Sequence, residues 1–224
     1  MLQLEDQCQA VEVAFIESWH DTLHDYAERR INSEKCLQAS LYAGLRTRLK
    51  GDYRVFVEAT IWPPEGSHQA IDLLICHNND IVGAIELKYK PKTKIHRIGM
   101  HLDISKLLKL RNRRSTKSKT RVEMRRYVGG TRKDKELFTF APGRRVIFGG
   151  YCQSDKEVSD DFWRTHRTGF AEPLCSRRTL PPKLLICLAR TDPSLSVLSE
   201  IVSGKHIKAA FETLRIDEVG KPIA

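Results

Sequence analysis

Three charged residues, Asp72, Glu86 and Lys88, interrupt two neighbouring apolar runs of the chain, residues 69–76 and 81–89. A charge in a strand that is otherwise ready for burial is costly unless it is paired or binds a metal. Carboxylate oxygens are the ligands that Mg²⁺ prefers, and an ammonium group beside them can orient water and stabilise developing negative charge. The three residues therefore predict a magnesium site with its own lysine, and the structural alternative is a buried salt bridge.

The two apolar runs are predicted to form a β-hairpin. Residues 77–80, His-Asn-Asn-Asp, lie between the runs and have the composition of a turn. Because side chains alternate across a strand, Glu86 and Lys88 are expected on one face. The opposite face is expected to carry their apolar and aromatic neighbours, Ile85, Leu87 and Tyr89.

The chemistry that this pattern could support is hydrolysis of a phosphodiester bond. Asp72 and Glu86 would hold Mg²⁺, with Mn²⁺ as a substitute, and the Leu87 carbonyl oxygen and water molecules would complete the coordination. The metal would activate water and neutralise the phosphate. Lys88 would orient the attacking water or help to deprotonate it, and would stabilise the charge of the transition state.

Two further carboxylates are weaker candidates for the same site. Glu58 lies in a predicted strand over 53–61, and Glu34 lies in the first turn of a helix predicted to begin at Asn32 or Ser33. Glu58 could extend the metal site, and Glu34 could hold a metal-bound water. A Glu in the first turn of a helix is also explained by the helix dipole alone.

The chain is strongly basic, which favours a polyanionic partner. It has 38 Lys and Arg against 28 Asp and Glu, for a formal net charge of +10. Basic side chains neutralise phosphates and release counterions, so DNA is the expected partner and RNA is not excluded. The alternative is a solvated basic loop over 112–133. The residues expected to contact nucleic acid are Lys90, Lys92, Lys109, Arg111, Arg113, Arg114, Lys117 and Lys119.

Composition also narrows the class of protein. The 6 cysteines are scattered without zinc-finger spacing, which indicates free thiols in a reducing compartment. No run is long and apolar enough to span a membrane, and the first residues lack the features of a signal peptide. We therefore expect a cytoplasmic protein with no membrane partner. Its 224 residues are predicted to form a single domain, 1–224.

Periodicity predicts an alternating order of helices and strands. An N-terminal helix, 4–30, is expected to pack on a motif core, 32–111, which is followed by the basic loop. Within that core a further helix is predicted over about 99–110. The remaining predicted elements are a strand over 145–150, a helix over 155–167, a strand over 183–189 and a helix over 204–214.

This order of elements resembles that of the PD-(D/E)XK nuclease superfamily, also called restriction endonuclease-like. The resemblance rests on Asp72, Glu86 and Lys88, together with Glu34 on the preceding helix, and covers residues 32–111 best. It implies an α/β fold with a three-layer core, in which a central mixed β-sheet is flanked by helices.

The resemblance also implies an activity. Members of the family are metal-dependent nucleases, so a Mg-dependent endonuclease that cleaves DNA, in restriction, repair or defence, is the implied function. Ile71 stands where the family name implies Pro, a departure that does not touch the chemistry. A homodimer is a further expectation, because one site per chain would otherwise need two successive nicks to break both strands.

A second class of function remains open, a non-catalytic nucleic-acid-binding protein that keeps the fold and uses the charged hairpin only as structure. The intact Asp, Glu and Lys favour the enzyme. Simpler roles are assigned to Asp103 and Lys106, since helix capping and surface pairing are sufficient explanations for them. Gln38, one turn after Glu34, is a further candidate to face the site.

Overall fold

The computed structural model describes residues 4–62, 68–90, 102–103, 106–110, 120–124, 134–153, 184–191, 197–203 and 212–214. Within these residues the chain forms two long helices, helical turns at 102–103 and 106–110, and one mixed β-sheet. The predicted α/β class, with helices against a mixed sheet, is confirmed at this level.

Helix α1 (Leu4–Ala27) ends three residues earlier than periodicity predicted. Arg29 adopts a φ of 60°, and across it the Arg30 N–H donates to the Asp25 carbonyl oxygen at 2.8 Å. This is the Schellman pattern that terminates helices. The predicted apolar stripe of the helix is buried, and it includes Val11, Phe15, Trp19 and Leu23.

Helix α2 (Glu34–Arg48) begins where the sequence indicated. The Ser33 side chain accepts a hydrogen bond from the Cys36 N–H at 3.2 Å and so caps the first turn. The buried face of the helix carries Leu37, Gln38, Leu41 and Leu45. The cap therefore fixes the end of α2 that carries Glu34.

Eight strands are present in the described residues, and they form one sheet. They are β1 (Tyr53–Trp62), β2 (Gln69–His77), β3 (Asp80–Lys90), β4 (Thr120–Met124), β5 (Asp134–Gln153), β6 (Leu184–Thr191), β7 (Val197–Ser203) and β8 (Glu212–Leu214). Their order is β3-β2-β1-β4-β5-β6-β7-β8, and β3 also pairs with β5. The pairings β1–β2, β2–β3, β3–β5, β5–β4 and β4–β1 thus close into a ring, from which β6 to β8 extend.

The motif hairpin forms as predicted, with β2 and β3 antiparallel around a turn at 78–79. Asn78 has a φ of 52°, which Asn tolerates better than most residues. Strand β3 is also parallel to β5, and β5 is parallel to β6, so the hairpin lies inside a mixed sheet. Burial on both sides explains why β2 and β3 are apolar on both faces.

Helical elements pack on both faces of the hairpin through two buried clusters. The first cluster joins α1 and α2 to the hairpin, and its hairpin members include Leu73, Ile75, Ile85 and Leu87. The second cluster joins the helical turn 106–110 to the other face, and its members include Leu107, Leu110, Ile71, Leu74 and Ala84. The predicted face assignment is confirmed, since Ile85 and Leu87 face α1 and α2 while Ala84, two residues before Glu86, faces 106–110.

Several predicted elements differ from the structure. Strand β4 lies inside the stretch 112–133 that was predicted as a basic loop, between β1 and β5. Strand β5 is 20 residues long and extends far beyond the predicted 145–150. The helix predicted over 204–214 is wrong at its end, because 212–214 pair with β7 as β8. Strand β7 was not predicted, and the helix predicted over 155–167 lies outside the described residues.

Candidate active site

Glu58, Asp72 and Glu86 stand side by side on three adjacent strands. The β1–β2 register is unchanged between Val57 and Ala59, which places Glu58 across from Asp72. The β2–β3 register, continued by one residue beyond its last pair, places Asp72 across from Glu86. Hence the fold brings the two carboxylates of the hairpin together, as the sequence predicted.

Two backbone N–H groups of β3 are bound by carboxylates where the β2–β3 pairing stops. The Leu87 N–H donates to Asp72 Oδ2 at 2.8 Å, and the Tyr89 N–H donates to Glu34 Oε2 at 3.1 Å. The two side chains thus take over the role of a strand partner, and the N–H groups fix the positions of both carboxylates. Glu34 therefore lies at the site, although its observed role is to bind the strand.

Glu86 is the most deeply buried carboxylate of the group, with 4% of its surface exposed. Its Oε1 lies 2.7 Å from the Nζ of Lys106, which reaches it from the helical turn 106–110. Burial and the nearby Asp72 carboxylate raise the pKa of Glu86 to about 8, although Lys106 opposes the shift. The site therefore holds a carboxylate whose charge is poorly compensated.

Asp72 has the same kind of environment in milder form. Burial raises its pKa, and the charges of Glu34 and Asp103 add to the rise, while the Leu87 N–H and Lys106 oppose it. Two neighbouring carboxylates with raised pKa values indicate a place where an additional positive charge would be stabilised.

Lys88 lies on the Glu86 face of β3, as predicted, but it contacts a different carboxylate. Its Nζ is 3.0 Å from Asp103 Oδ2. Burial alone would lower the pKa of Lys88, but the contact with Asp103 and the charges of Glu34 and Asp72 raise it instead. The ammonium form of Lys88 is therefore stabilised.

Asp103 and Lys106 lie at the candidate site, although the sequence interpretation did not place them there. Capping and surface pairing were the expected roles, but both side chains are about three-quarters buried or more and contact Lys88 and Glu86. A spacing of three residues would put them on one side of the helix that the sequence predicts over 99–110, beside its apolar stripe. A pair of opposite charges next to that stripe was the available signal.

Two further residues support the site from outside. Gln38 is buried in α2, and its Nε2 donates to the Asp72 carbonyl oxygen at 2.9 Å, so it does face the site. Arg144 is buried in β5 and donates from Nε and Nη2 to the Leu110 carbonyl oxygen at 2.9 and 2.6 Å. Arg144 thereby anchors the end of the helical turn that carries Lys106.

Glu58 stands next to Asp72 in the register but does not join the buried group. It has a φ of 51°, a conformation that non-glycine residues rarely adopt, and it is the position at which β1 and β2 are unpaired. Its half-exposed carboxylate contacts Lys35. The backbone at Glu58 is therefore strained. Its side chain contacts Lys35 of α2 and does not join the buried carboxylates.

Two of the residues predicted to contact nucleic acid, Lys90 and Lys109, lie in the described part of the chain. Lys109 is exposed on the helical turn 106–110, and Lys90 is the last residue of β3. The other predicted contacts lie outside the described residues, namely Lys92, Arg111, Arg113, Arg114, Lys117 and Lys119.

The donor set fits a hard divalent cation. Mg²⁺ is usually bound through one or two carboxylates, while water and substrate oxygens fill the other positions. Asp72 and Glu86 supply such a pair, and Glu86 Oε1 and Asp103 Oδ2 are buried oxygens that receive no well-directed hydrogen bond from the described residues. Among those residues no group of three or more His, Cys, Asp or Glu side chains is placed to hold a metal ion. The fit rests on the carboxylate pair.

Comparisons with protein-family models, with curated proteins and with solved structures gave no match. In the part of the chain that the structure describes, no helix is long and apolar enough to cross a membrane.

Proposed function

We propose that this protein is a metal-dependent nuclease that hydrolyses DNA phosphodiester bonds. The observation that carries the proposal is the deeply buried Glu86, placed across from Asp72 and followed by Lys88 on the same face. Burial of an under-compensated carboxylate pair is costly, and a divalent cation is the partner that best offsets the cost.

The proposed family is the PD-(D/E)XK superfamily, with a restriction endonuclease-like core. Support comes from the antiparallel hairpin with its carboxylate on each strand, from Glu34 on the helix before it, and from helical elements on both faces of the hairpin. DNA as substrate is supported by the net charge of +10. Cytoplasmic location and a homodimer remain predictions from the sequence.

In the proposed mechanism Asp72 and Glu86, with the Leu87 carbonyl oxygen, would hold the cation. When bound, it supplies charge neutralisation at the phosphate and lowers the pKa of a coordinated water. The Leu87 N–H keeps the Asp72 carboxylate in place, at 2.8 Å. Gln38 does the same for the Asp72 backbone, so this part of the site is already organised.

Lys88 has the electrostatic role in this mechanism. Asp103, whose Oδ2 lies 3.0 Å from the Lys88 Nζ, raises the pKa of Lys88 and so stabilises the ammonium form. A charged ammonium cannot accept a proton, so its role is to orient the nucleophile and to stabilise the additional negative charge on the phosphate. This narrows the roles expected from the sequence to the electrostatic one.

The second candidate is a non-catalytic nucleic-acid-binding protein. The observation that favours it is that Lys106 and Lys88 already contact Glu86 and Asp103, so the charges could serve as structural ion pairs. Such a protein would bind nucleic acid without needing a divalent cation and would not cleave it when one is added.

The test is incubation of supercoiled plasmid, single-stranded DNA and RNA with Mg²⁺ or Mn²⁺. Wild-type protein should cleave DNA only with the metal, and Glu86→Gln and Lys88→Met should each lose on the order of 10²-fold or more in rate. Lys50→Met, an exposed change just beyond the end of α2, and Glu17→Gln, a change in an exposed ion pair, are the matched controls. Absence of metal-dependent cleavage of every substrate would leave the binding protein as the better account.

A further inference from the structure

Lys106 contacts the carboxylate that the proposed metal would need. Its Nζ lies 2.7 Å from Oε1 of Glu86, and the two side chains come from different elements, the helical turn 106–110 and β3. The Glu86 side chain is 5% exposed, whereas that of Lys106 is 25% exposed. The contact therefore joins a deeply buried acceptor to a cation at the edge of solvent.

Lys88, the other lysine of the site, pairs with a different carboxylate. Lys88 contacts Asp103 at 3.0 Å, and among the described residues Lys106 is the ammonium group paired with Glu86. Without a metal, one lysine thus contacts each of the carboxylates Glu86 and Asp103, which offsets the negative charge of the site only in part. An ammonium and a divalent cation cannot both occupy the same side of one carboxylate oxygen at contact distance.

We propose that Lys106 is a resident counter-ion, which occupies the cation position at Glu86 in the metal-free protein and leaves it when a divalent cation binds. This inference rests on the proposed function, because it concerns the same metal site. It assigns to Lys106 a role that differs from that of Lys88, which keeps its contact with Asp103.

The anchoring of the helical turn suits such an exchange. Leu107 and Leu110 are buried in the second core cluster, and Arg144 binds the Leu110 carbonyl oxygen through two donors. The backbone at Lys106 is thus fixed next to packed residues, while the flexible four-carbon stem of the lysine reaches partly into solvent. Release of the ammonium requires rotation of the side chain and no movement of the turn.

A thermodynamic cycle gives the consequence. If Lys106 binds Glu86 only in the metal-free state, its removal destabilises that state and leaves the metal-bound state unchanged. Metal affinity must then rise by the same factor that the metal-free folding constant loses. For a charge-assisted contact of this burial, the expected factor is roughly tenfold.

The experiment is a calorimetric titration of the full chain with Mn²⁺, combined with urea unfolding at zero and saturating Mn²⁺. The proteins are wild type, Lys106→Met, Lys106→Gln as the polar replacement, Lys50→Met as the exposed control, and Glu86→Gln. We expect Lys106→Met and Lys106→Gln to bind Mn²⁺ about tenfold more tightly and to be less stable than wild type without metal. At saturating Mn²⁺ their stability should equal that of wild type.

Two outcomes would overturn the inference. One is a loss of stability that is equal with and without Mn²⁺, which would mean that Lys106 stays paired in the metal-bound state. The other is tighter binding with unchanged metal-free stability, which would mean simple charge repulsion. Failure of the proposed function appears separately, as a wild type and a Lys106→Met protein that both fail to bind Mn²⁺, or that bind it no better than Glu86→Gln.

Discussion

The molecule buries charged groups in two regions, at Arg145 and at Glu86, and satisfies them to different degrees. Arg145 belongs to β5, is 6% exposed, and reaches α1 with its side chain. Its guanidinium donates to Glu12 at 2.8 Å, to Glu5 at 3.2 Å, to Gln9 at 2.7 Å and to the Gly143 carbonyl oxygen at 2.7 Å. This network satisfies the buried charge with directed hydrogen bonds.

The Glu86 region buries its charge just as deeply but leaves it less well satisfied. Glu86 Oε1 meets the Lys106 ammonium without a well-directed hydrogen bond, and Asp103 Oδ2 meets Lys88 in the same way. The pKa of Glu86 rises to about 8 because of burial and Asp72. Both regions therefore bury a charged side chain. The Glu86 region differs because its carboxylate oxygens lack well-directed hydrogen bonds.

The largest expected effect is a loss of cleavage activity on mutation of Glu86, which is not expected on mutation of Arg145. Glu86→Gln should lower metal-dependent cleavage by on the order of 10²–10⁴-fold, because it removes a metal ligand. The same change should leave the free energy of unfolding unchanged or raise it, since a neutral amide is easier to bury than an under-compensated carboxylate. Plasmid cleavage and urea unfolding measure the two quantities. A large loss of stability would erase the contrast with Arg145.

The reverse pattern is expected for the Arg145 network. Arg145→Met should lower the free energy of unfolding by about 3 kcal/mol, because it removes the guanidinium from the largely buried Glu12 and leaves its carboxylate under-compensated. The folded fraction, measured below the unfolding midpoint, should retain wild-type cleavage per molecule. A specific loss of cleavage in fully folded Arg145→Met protein would show that both regions serve the site.

A pH series probes the Glu86 region alone. The pKa of Glu86 rises from 4.5 to about 8 on folding, so the folded state binds its proton more tightly than the unfolded state. Stability without metal should therefore fall as pH rises from about 4.5 to 8, by at most about 1.4 kcal/mol per pH unit from this group. Urea unfolding at successive pH values measures the slope. The loss of stability per pH unit should be smaller in Glu86→Gln than in wild type. An equal loss in the two proteins would assign the effect to other groups.

The smallest expected effect concerns strain beside the site. Glu58 has a φ of 51°, so Glu58→Gly should raise the free energy of unfolding by about 0.5–1 kcal/mol. Glu58→Ala is the matched control, because it also loses the contact with Lys35 but keeps a Cβ. Equal stability of the Gly and Ala variants, measured by urea unfolding, would mean that the backbone at Glu58 is not strained.

The sequence predicted the parts of the site that local rules determine. The period of two in a strand placed Glu86 and Lys88 on one face, and the turn residues placed Asp72 on the neighbouring strand. The Ser33 cap located the end of α2 and therefore Glu34. These features depend on neighbours along the chain, so the sequence alone was sufficient.

The parts that were missed depend on tertiary packing. Strand β4 lies in a basic stretch with few apolar residues, and it is a strand because it pairs between β1 and β5. Likewise, residues 212–214 are a strand because β7 lies beside them. Asp103 and Lys106 look like surface charges in the sequence, and only the packing of their helical turn against β3 gives them partners.

The central claim is that Asp72 and Glu86 form one binding site for a divalent cation. Its most direct test is calorimetric titration of Mn²⁺ into wild type, Asp72→Asn, Glu86→Gln and Glu17→Gln. We predict saturable binding to wild type and to Glu17→Gln, and at least about tenfold weaker binding to the Asp72 and Glu86 variants. Equal Mn²⁺ affinity in all four proteins, or no binding to any of them, would contradict the claim.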